Sequence, residues 1–183
     1  MVSKDFEESV LPHMKAAFNL AYWIVRSREE AEDVVQDAFV RAFRAFPRFD
    51  GAAPKPWLLT IVRNVAYRAL QNRNRAGNVV LFSEDLKNRE SEDVREIPTP
   101  ERSAETLLVA ESEREQLLSA LAELPAHYRE VVVLRELEGL SYGEIARAVD
   151  APVGTVMSRL SRGRAELRNA LTRRIAKDEA DAV

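Results

Sequence analysis

A short capped helix, a proline break and a long basic helix follow one another near the C-terminal end, and they constrain the fold more than any other feature. Ser141 and Glu144 are spaced as in a capping box, where hydroxyl and carboxylate each accept a hydrogen bond from an unpaired backbone N–H. They predict a helix from Tyr142 to Val149. The run Asp150-Ala151-Pro152 ends this helix, because proline disrupts a helix interior and restricts the residue before it. A second helix is predicted over 153–171. Together these signals predict a helix-turn-helix over residues 140–171.

The second helix of this motif divides into an apolar stripe and a basic face. Val156, Leu160, Leu167 and Leu171 recur at helical spacing, and we expect them to be buried. Arginine, which pairs with phosphates and guanine edges through two hydrogen bonds, dominates the other face. That face carries Ser158, Arg159, Ser161, Arg162, Arg164 and Arg168. A basic helix alone would also suit the solvated side of an ordinary bundle, but the capped helix and tight turn before it favour a recognition helix in a DNA major groove.

Length and charge restrict the classes of protein that fit. With 183 residues, the chain has room for one domain of average size or two small ones. Its formal net charge is only −3, but the charge is unevenly distributed. Residues 41–75 and the last helix are basic, whereas residues 83–115 are strongly acidic. This distribution predicts local basic surfaces on an acidic protein.

Several kinds of site are disfavoured. The chain has no cysteine, which excludes disulfides and thiolate metal sites. His13 and His127 have no companion ligands at metal spacing, so we predict neither a metal nor a cofactor. No apolar run approaches the ~20 residues of a membrane span, and the acidic N-terminus does not fit a signal peptide. We therefore expect a cytoplasmic protein without membrane insertion.

Apolar periodicity predicts an all-α chain, and its first part, residues 1–75, reads as a small domain of three helices. The first follows the apolar repeat from Phe6 to Val25. The second covers Arg28 to Phe46 behind a capping box that begins at Ser27, and the third starts at about Trp57.

The remainder of the chain is predicted to form a linker, a second domain and a tail. Periodicity fails from residue 76 onward, and residues 76–110 have the composition of an acidic, flexible linker. Periodicity then returns, and residues 111–175 predict a four-helix domain that contains the helix-turn-helix. Residues 176–183 are expected to form a tail without an assigned function.

The predicted helix from Arg28 to Phe46 carries an acidic face opposite its apolar stripe. That face consists of Glu29, Glu32, Asp33, Gln36 and Asp37. Acids near the start of a helix stabilise its dipole, so the cluster needs no further role. The same cluster would also suit a docking surface for a basic partner. The residues alone leave these two interpretations equal.

Basic, aromatic and amide side chains alternate between Pro47 and Gln71. The exposed members are predicted to be Arg48, Asp50, Lys55, Thr60, Arg63, Asn64, Tyr67, Arg68 and Gln71, around Trp57. Such a surface suits single-stranded DNA, because cations follow the phosphates and rings stack on the bases. The alternative is that Trp57 and Tyr67 belong to the core beneath a solvated basic face. For Trp57 we favour the core, and for Arg63, Asn64 and Arg68 we favour nucleic acid.

Two groups of motifs resemble the conserved domains 2 and 4 of bacterial sigma factors. The first group is Ala31-Glu32-Asp33-Val34-Val35-Gln36-Asp37-Ala38-Phe39, Pro56-Trp57-Leu58 and Asn64-Val65-Ala66. The second is Leu124-Pro125, Arg129-Glu130-Val131, Leu140-Ser141-Tyr142-Gly143-Glu144-Ile145-Ala146 and Val153-Gly154-Thr155-Val156-Met157-Ser158-Arg159-Leu160. With little else in the chain, the resemblance is to the extracytoplasmic-function (ECF) group of the sigma-70 family, which keeps only these two domains.

The resemblance implies a role for each surface. Glu32, Asp33, Gln36 and Asp37 would bind RNA polymerase core, made of the beta and beta-prime subunits. The −10 promoter element, as a single strand with flipped bases, would be bound by Arg48, Asp50, Lys55, Trp57, Arg63, Asn64, Tyr67 and Arg68. The −35 duplex would be read by Thr155, Met157, Ser158, Arg159, Ser161, Arg162 and Arg164.

The resemblance also implies that the acidic linker threads the polymerase cleft and that an anti-sigma factor covers both domains. Two residues depart from the pattern. Many relatives have a basic residue at the position of Met157 and a bulky one at the position of Ser161, so a different −35 sequence is expected.

The alternatives to a sigma factor without catalytic activity of its own are a helix-turn-helix regulator and an enzyme. A dimeric helix-turn-helix regulator with an N-terminal interaction domain would bind palindromic sites, but it leaves the acidic face and the segment from Trp57 to Gln71 unexplained. An enzyme is disfavoured, because the sequence contains no nucleophile–base pair, phosphate-binding loop or metal cluster.

Overall fold

A computed structural model describes residues 2–75 and 104–181, and within them the secondary structure is entirely helical, which confirms the all-α prediction. The helices are α1 (Val2–Val10), α2 (Met14–Val25), α3 (Arg28–Ala45), α4 (Pro54–Arg75), α5 (Ala104–Glu123), α6 (Ala126–Val132), α7 (Tyr142–Val149) and α8 (Val153–Asp181). Over the residues described, none of these helices has the length and apolar character needed to cross a bilayer. The linker predicted over 76–110 lies mostly outside the described residues.

Helices α1 to α4 form the first unit, with one helix more than predicted. The apolar repeat from Phe6 to Val25 was expected to be a single helix, but Pro12 lies within a 3₁₀ turn, Leu11–His13, that separates α1 from α2. Proline lacks the N–H needed to continue the helix. Ser27 caps α3, since its side chain accepts a hydrogen bond from the Glu30 N–H at 3.3 Å.

Helices α5 to α8 form the second unit, and two of them extend beyond the predicted bounds. Helix α5 begins at Ala104, inside the predicted linker, and α8 continues to Asp181, through most of the predicted tail. A π-helical turn, Val133–Leu137, follows α6, and Gly139 ends it with a left-handed φ of 71°. The extension of α8 consists of alanines and charged side chains without an apolar stripe, so apolar periodicity did not reveal it, whereas the extension of α5 carries Leu107 and Leu108.

The two units pack against each other rather than standing apart. Helix α4 of the first unit contacts α7 of the second, and α2 contacts α6 and the π turn. Buried side chains form one continuous apolar cluster that includes Leu20 and Leu58 in the first unit and Leu134 and Ile145 in the second. Helix α8 packs on α5, α6 and α7, so its polar face stays outside the contact between the units.

Gly163 permits the close approach of α8 to α6, and its replacement by valine is expected to destabilise the second unit. A Cβ atom at this position would lie 2.9 Å from Cγ2 of Val132 and 3.3 Å from Cβ of Tyr128. Overpacking of this kind costs about 1–3 kcal/mol. Urea unfolding should therefore show a lower midpoint for Gly163→Val. Gly143→Ala is the control, since nothing lies within 4 Å of its added Cβ, and an equal loss in both variants would contradict the packing role.

Candidate nucleic-acid interface

The helix-turn-helix forms as its local signals predict. The Ser141 hydroxyl accepts a hydrogen bond from the Glu144 N–H at 3.3 Å, and the Glu144 carboxylate accepts one from the Ser141 N–H at 2.7 Å. The Ser141 hydroxyl also donates to the Glu144 carboxylate at 2.7 Å, and this hydrogen bond, followed by the one from the Ser141 N–H, holds the pKa of Glu144 below its usual value. Asp150 ends α7 with a left-handed φ of 50°, and α8 begins three residues later. The turn thus leads from the capped helix directly into α8, which packs on it.

The residues predicted to read the −35 duplex lie on α8, and most of them are open to solvent. Met157, Ser158, Ser161, Arg162 and Arg164 are exposed, while Thr155 and Arg159 are partly covered. Val156 and Leu160 are buried on the opposite side, as predicted, whereas Leu167 and Leu171 are only half-buried. The prediction and the structure therefore agree on which face of α8 is available to a ligand.

Arg164 differs from its neighbours because it already has an acidic partner. Its Nη2 lies 2.6 Å from Oε1 of Glu136, and its Nε donates to the same oxygen at 3.0 Å. This hydrogen bonding raises the pKa of Arg164. To contact a phosphate, Arg164 would have to leave Glu136. Breaking such a solvent-exposed ion pair costs little free energy.

The residues predicted to bind the −10 strand fall into two groups, of which the first is accessible. Arg48, Asn64 and Arg68 are exposed. Trp57 is half-buried and stacks on Phe49, with ring centroids 4.4 Å apart, as its expected packing role requires. The Asp50 carboxylate accepts a hydrogen bond from the Ala52 N–H at 3.0 Å and thereby orders the loop before α4.

The second group, Lys55, Arg63 and Tyr67, is held by carboxylates of the second unit. Glu130 is 2% exposed, and its carboxylate accepts a hydrogen bond from Nε of Arg63 and one from the Tyr67 hydroxyl at 3.1 Å. Burial, and then the negative charge of Glu130, raises the pKa of Tyr67 to about 12. The expectation that these side chains are exposed is wrong for this arrangement, because ion pairs hold Lys55 and Arg63 and a hydrogen bond holds Tyr67 across the units. Their binding to the −10 strand stays a prediction.

A second buried carboxylate makes a similar contact nearby. The Lys55 ammonium donates to the Glu138 backbone carbonyl at 2.7 Å and pairs with the Glu138 carboxylate at 3.0 Å. Asn19 of the first unit donates to the same carboxylate at 3.2 Å. Burial, and then the charge of Lys55, lowers the pKa of His13 beside this cluster.

Arg129 joins the two units through backbone carbonyls. Its Nε donates to the carbonyl of Trp23 at 2.9 Å, while Nη1 donates to those of Ala122 at 2.9 Å and Leu124 at 3.2 Å. Burial, and then the nearby charge of Arg26, lowers its pKa to about 10. The cost of burying this guanidinium is offset by three carbonyl partners, one of them in the first unit.

Glu130 and Glu138 were not recognised as interface residues from the sequence. Glu130 precedes the apolar run Val131-Val132-Val133-Leu134, and all four of those residues are buried. A charged residue beside such a run is rarely buried without a partner. That local signal existed, but it could not identify Arg63 and Tyr67, which lie more than 60 positions earlier in the chain.

A cleft of about 520 Å³ opens where the loop before α4 meets α7. The first unit lines it with Arg48, Asp50 and Trp57, and the second unit with Glu144 and Arg147. Its walls thus combine an aromatic face with charges of both signs. No group of three or more histidines and carboxylates suited to a metal ion occurs within the described ranges.

The acidic cluster on α3 lies away from the contact between the units. Glu32, Asp33 and Gln36 are exposed, and Asp37 is partly covered. Arg28 pairs with Glu32 at 3.1 Å and Arg41 pairs with Asp37 at 2.9 Å, both one helical turn apart. Exposed pairs of this kind contribute little to stability. The face is therefore available to a basic partner.

Two family models match the chain in the order that the motifs predicted. The model "Sigma-70 region 2" matches residues 10–76, and the model "Sigma-70, region 4" matches residues 114–167. The first match covers α2 to α4, and the second runs from the middle of α5 through α6 and α7 to the middle of α8.

Curated proteins with similar sequences are ECF RNA polymerase sigma factors. The sigma-E factor of Haemophilus influenzae is 38% identical over 79% of this chain and 76% of its own length. The corresponding Escherichia coli protein is 38% identical over 76% of this chain and 73% of its own length. SigE of Mycolicibacterium smegmatis is 31% identical over 92% of this chain, which corresponds to 62% of that protein.

Solved structures with a similar fold include two proteins in complex with binding partners. One is the sigma factor RpoE in complex with the anti-sigma factor NepR from Bartonella quintana, with a TM-score of 0.69, 28% identity, and coverage of 92% of this chain and 98% of that one. The other is CnrH in complex with the cytosolic domain of CnrY, with a TM-score of 0.61, 27% identity, and coverage of 93% and 89%.

Proposed function

Because this chain belongs to the ECF group of the sigma-70 family, it is an alternative sigma factor that directs transcription initiation, and we propose that it works through three separate surfaces. These are the acidic face of α3, the surface formed by α4 and the loop before it, and the polar face of α8. The observation that carries the proposal is that the α3 face in the first unit and the α8 face in the second are both exposed, while other helices form the contact between the units.

The acidic face of α3 is the proposed docking surface for RNA polymerase core. Glu32, Asp33, Gln36 and Asp37 recur at three- and four-residue spacing, so they form one stripe along the helix. Asp33 has no ion-pair partner among residues 2–75 and 104–181, and a basic partner could therefore neutralise it without displacing another side chain. The partner surface is expected to be formed by the beta and beta-prime subunits.

The proposed −10 surface is only partly available in the closed arrangement of the units. Arg48, Asn64 and Arg68 are open to solvent, but Arg63 and Tyr67 are bound to Glu130. Capturing an extruded base costs a few kcal/mol, and nearby cations must offset that cost. We therefore expect the second unit to separate from α4 before the −10 strand is bound, with core polymerase providing the free energy for that separation.

The polar face of α8 is the proposed reader of the −35 duplex. Replacing Arg162 by alanine removes an exposed guanidinium from the centre of this face. We expect the affinity for the −35 duplex to fall about tenfold or more. Fluorescence anisotropy with a labelled promoter duplex measures this loss, and binding of core polymerase should be unchanged.

Arg173→Ala is the matched control for this prediction. Arg173 lies on the same helix, is also exposed, and pairs with Glu123 at 3.4 Å. It is outside the proposed reading face, so its loss should change affinity by less than about threefold, the effect of one peripheral phosphate contact. Equal losses in the two variants would show that α8 contributes only general positive charge.

An anti-sigma factor is the proposed regulatory partner, and the cytoplasm the proposed location. One similar structure holds a sigma factor with an anti-sigma factor, and another holds CnrH with the cytosolic domain of CnrY. We propose further that the protein has no catalytic activity of its own, in keeping with its family. A dimeric helix-turn-helix regulator is the contrasting function, and it predicts dimers in solution and no effect on the promoter choice of core polymerase.

A further inference from the structure

Two apolar side chains stand exposed on the face of α8 that is otherwise polar. Val153 is 43% exposed and Met157 is 52% exposed, and they lie one helical turn apart at the start of the helix. Single exposed apolar residues are common on protein surfaces. These two differ because they border Gly154, Ser158 and Ser161 on the surface that the proposed function assigns to a major groove.

The chemistry of these side chains limits what they can recognise. Methionine and valine side chains carry no hydrogen-bond donor, and the thioether is only a weak acceptor. They therefore cannot select guanine, cytosine or adenine through hydrogen bonds to base edges. In the major groove the one apolar group is the 5-methyl group of thymine. The flexible, polarisable thioether chain of methionine can adapt its shape to such a group.

The surroundings of Met157 fit DNA better than a protein partner. Ser158 and Ser161 are exposed beside it, Arg162 is exposed one turn beyond Ser158, and Arg159 is partly exposed on the same helix. Neighbouring guanidinium and hydroxyl groups can bind phosphates on both sides of a base contact. A protein-docking patch would instead be expected to have a larger continuous apolar area.

We propose that Met157, flanked by Val153, contacts the 5-methyl group of a thymine in the −35 duplex and so selects thymine at that base pair. The inference rests on the proposed function, because it requires α8 to enter the major groove. Met157 would then determine a base preference although its side chain carries no charge and no hydrogen-bond donor.

Deoxyuridine tests the proposal directly, because it lacks the methyl group but keeps the hydrogen-bonding edges of thymine. The full-length protein, bound to core polymerase, is titrated with a duplex from a promoter that it transcribes. Each thymine of the −35 element is replaced in turn by deoxyuridine. At one position the wild-type affinity should fall about fourfold, the effect of removing one buried methyl group.

Met157→Ala and Met157→Gln show whether the same side chain is responsible. Both variants should bind the thymine duplex about fourfold more weakly than wild type and should gain or lose nothing further from deoxyuridine at that position. Met14→Ala is the control, since Met14 is 49% exposed but lies on α2. It should respond to deoxyuridine as the wild type does.

The outcomes separate this inference from the function on which it rests. If deoxyuridine has no effect at any position, or reduces the affinity of wild type and Met157 variants equally, the methyl contact is refuted while the sigma function stands. If the wild-type holoenzyme fails to bind any promoter duplex, the proposed reading of the −35 element by α8 is itself refuted.

Discussion

Replacing Glu130 by alanine should weaken the contact between the two helical units of the free protein roughly a hundredfold. The carboxylate is almost fully buried and accepts hydrogen bonds from Arg63 and Tyr67, so its loss leaves both donors unpaired in the contact. Removing one partner of a buried pair costs about 3–5 kcal/mol, and Arg63, with a side chain 18% exposed, places this case near the lower end. About 3 kcal/mol corresponds to that hundredfold change.

Resonance energy transfer between one dye on each unit measures how readily the two units separate. The natural chain has no cysteine, so substitutions Arg44→Cys and Arg168→Cys provide one labelling site in each unit. Transfer is followed through a urea titration, and circular dichroism reports the helices in parallel. With a slope of about 1–3 kcal/mol per molar urea, the variant should lose transfer at least about 1 M earlier than the parent.

Glu136→Ala is the matched control, because its carboxylate pairs with Arg164 inside the second unit. This substitution removes the same side chain at an exposed position, and it should leave the transfer curve unchanged. Superimposable curves for the Glu130 and Glu136 variants would mean that the contact through Glu130 does not hold the units together. Glu130→Gln should fall between the two, because an amide retains hydrogen bonding but loses the charge.

Reversing the charge at Asp33 should abolish most of the binding to core polymerase. Asp33 is exposed in the middle of the acidic face of α3, and an arginine there would oppose the basic surface that we expect on the partner. Central interface residues can contribute 2 kcal/mol or more, and an added like charge increases the loss. We expect the Kd for core to rise at least about thirtyfold, measured by anisotropy of the labelled protein.

The effect should be specific to that face and to that partner. Glu8→Arg makes the same change in charge on α1, where Glu8 is exposed and forms a weak pair with Lys4 at 3.8 Å. It should leave core binding within about twofold, as exposed pairs contribute little. Asp33→Arg should also retain binding to the −35 duplex. A variant that lost both activities would indicate misfolding or a shared surface, contrary to the separation proposed here.

The first helix of the helix-turn-helix and the start of the second could be predicted to the residue, because their signals are local. Ser141 and Glu144 determine the start of α7 through hydrogen bonds between neighbours, and Pro152 determines the break that follows. The apolar positions Val156 and Leu160 then indicate which side of α8 faces the core. Each of these features acts over four residues or fewer, a range in which sequence pattern is informative.

Local sequence patterns did not predict that the second unit covers part of the proposed −10 surface. Arg63, Tyr67 and Lys55 have the composition of an exposed basic face, and periodicity placed them outside the core of their own unit. Their partners, Glu130 and Glu138, lie in another unit. Pairing over such distances depends on how two folded bodies meet, which helical periodicity does not encode. The resemblance to a family supplied roles for these residues but no indication of their burial.

The break between α1 and α2 also differs from what apolar periodicity predicts, because a proline interrupts the helix. The apolar repeat from Phe6 to Val25 continues through the break, since Val10 and Ala17 are both buried. Pro12 nevertheless forces a 3₁₀ turn between them. The repeat identified the buried face correctly, but the missing N–H determined where each helix ends.

The central claim is that this protein gives core polymerase a promoter specificity that core lacks alone. Purified protein is added to bacterial core polymerase with fragmented genomic DNA from its source organism, and transcripts are mapped to their start sites. The account predicts discrete new transcripts that share −35 and −10 elements and that disappear with Asp33→Arg. If the protein instead binds duplex DNA as a dimer and core polymerase produces no new transcripts in its presence, the account is contradicted.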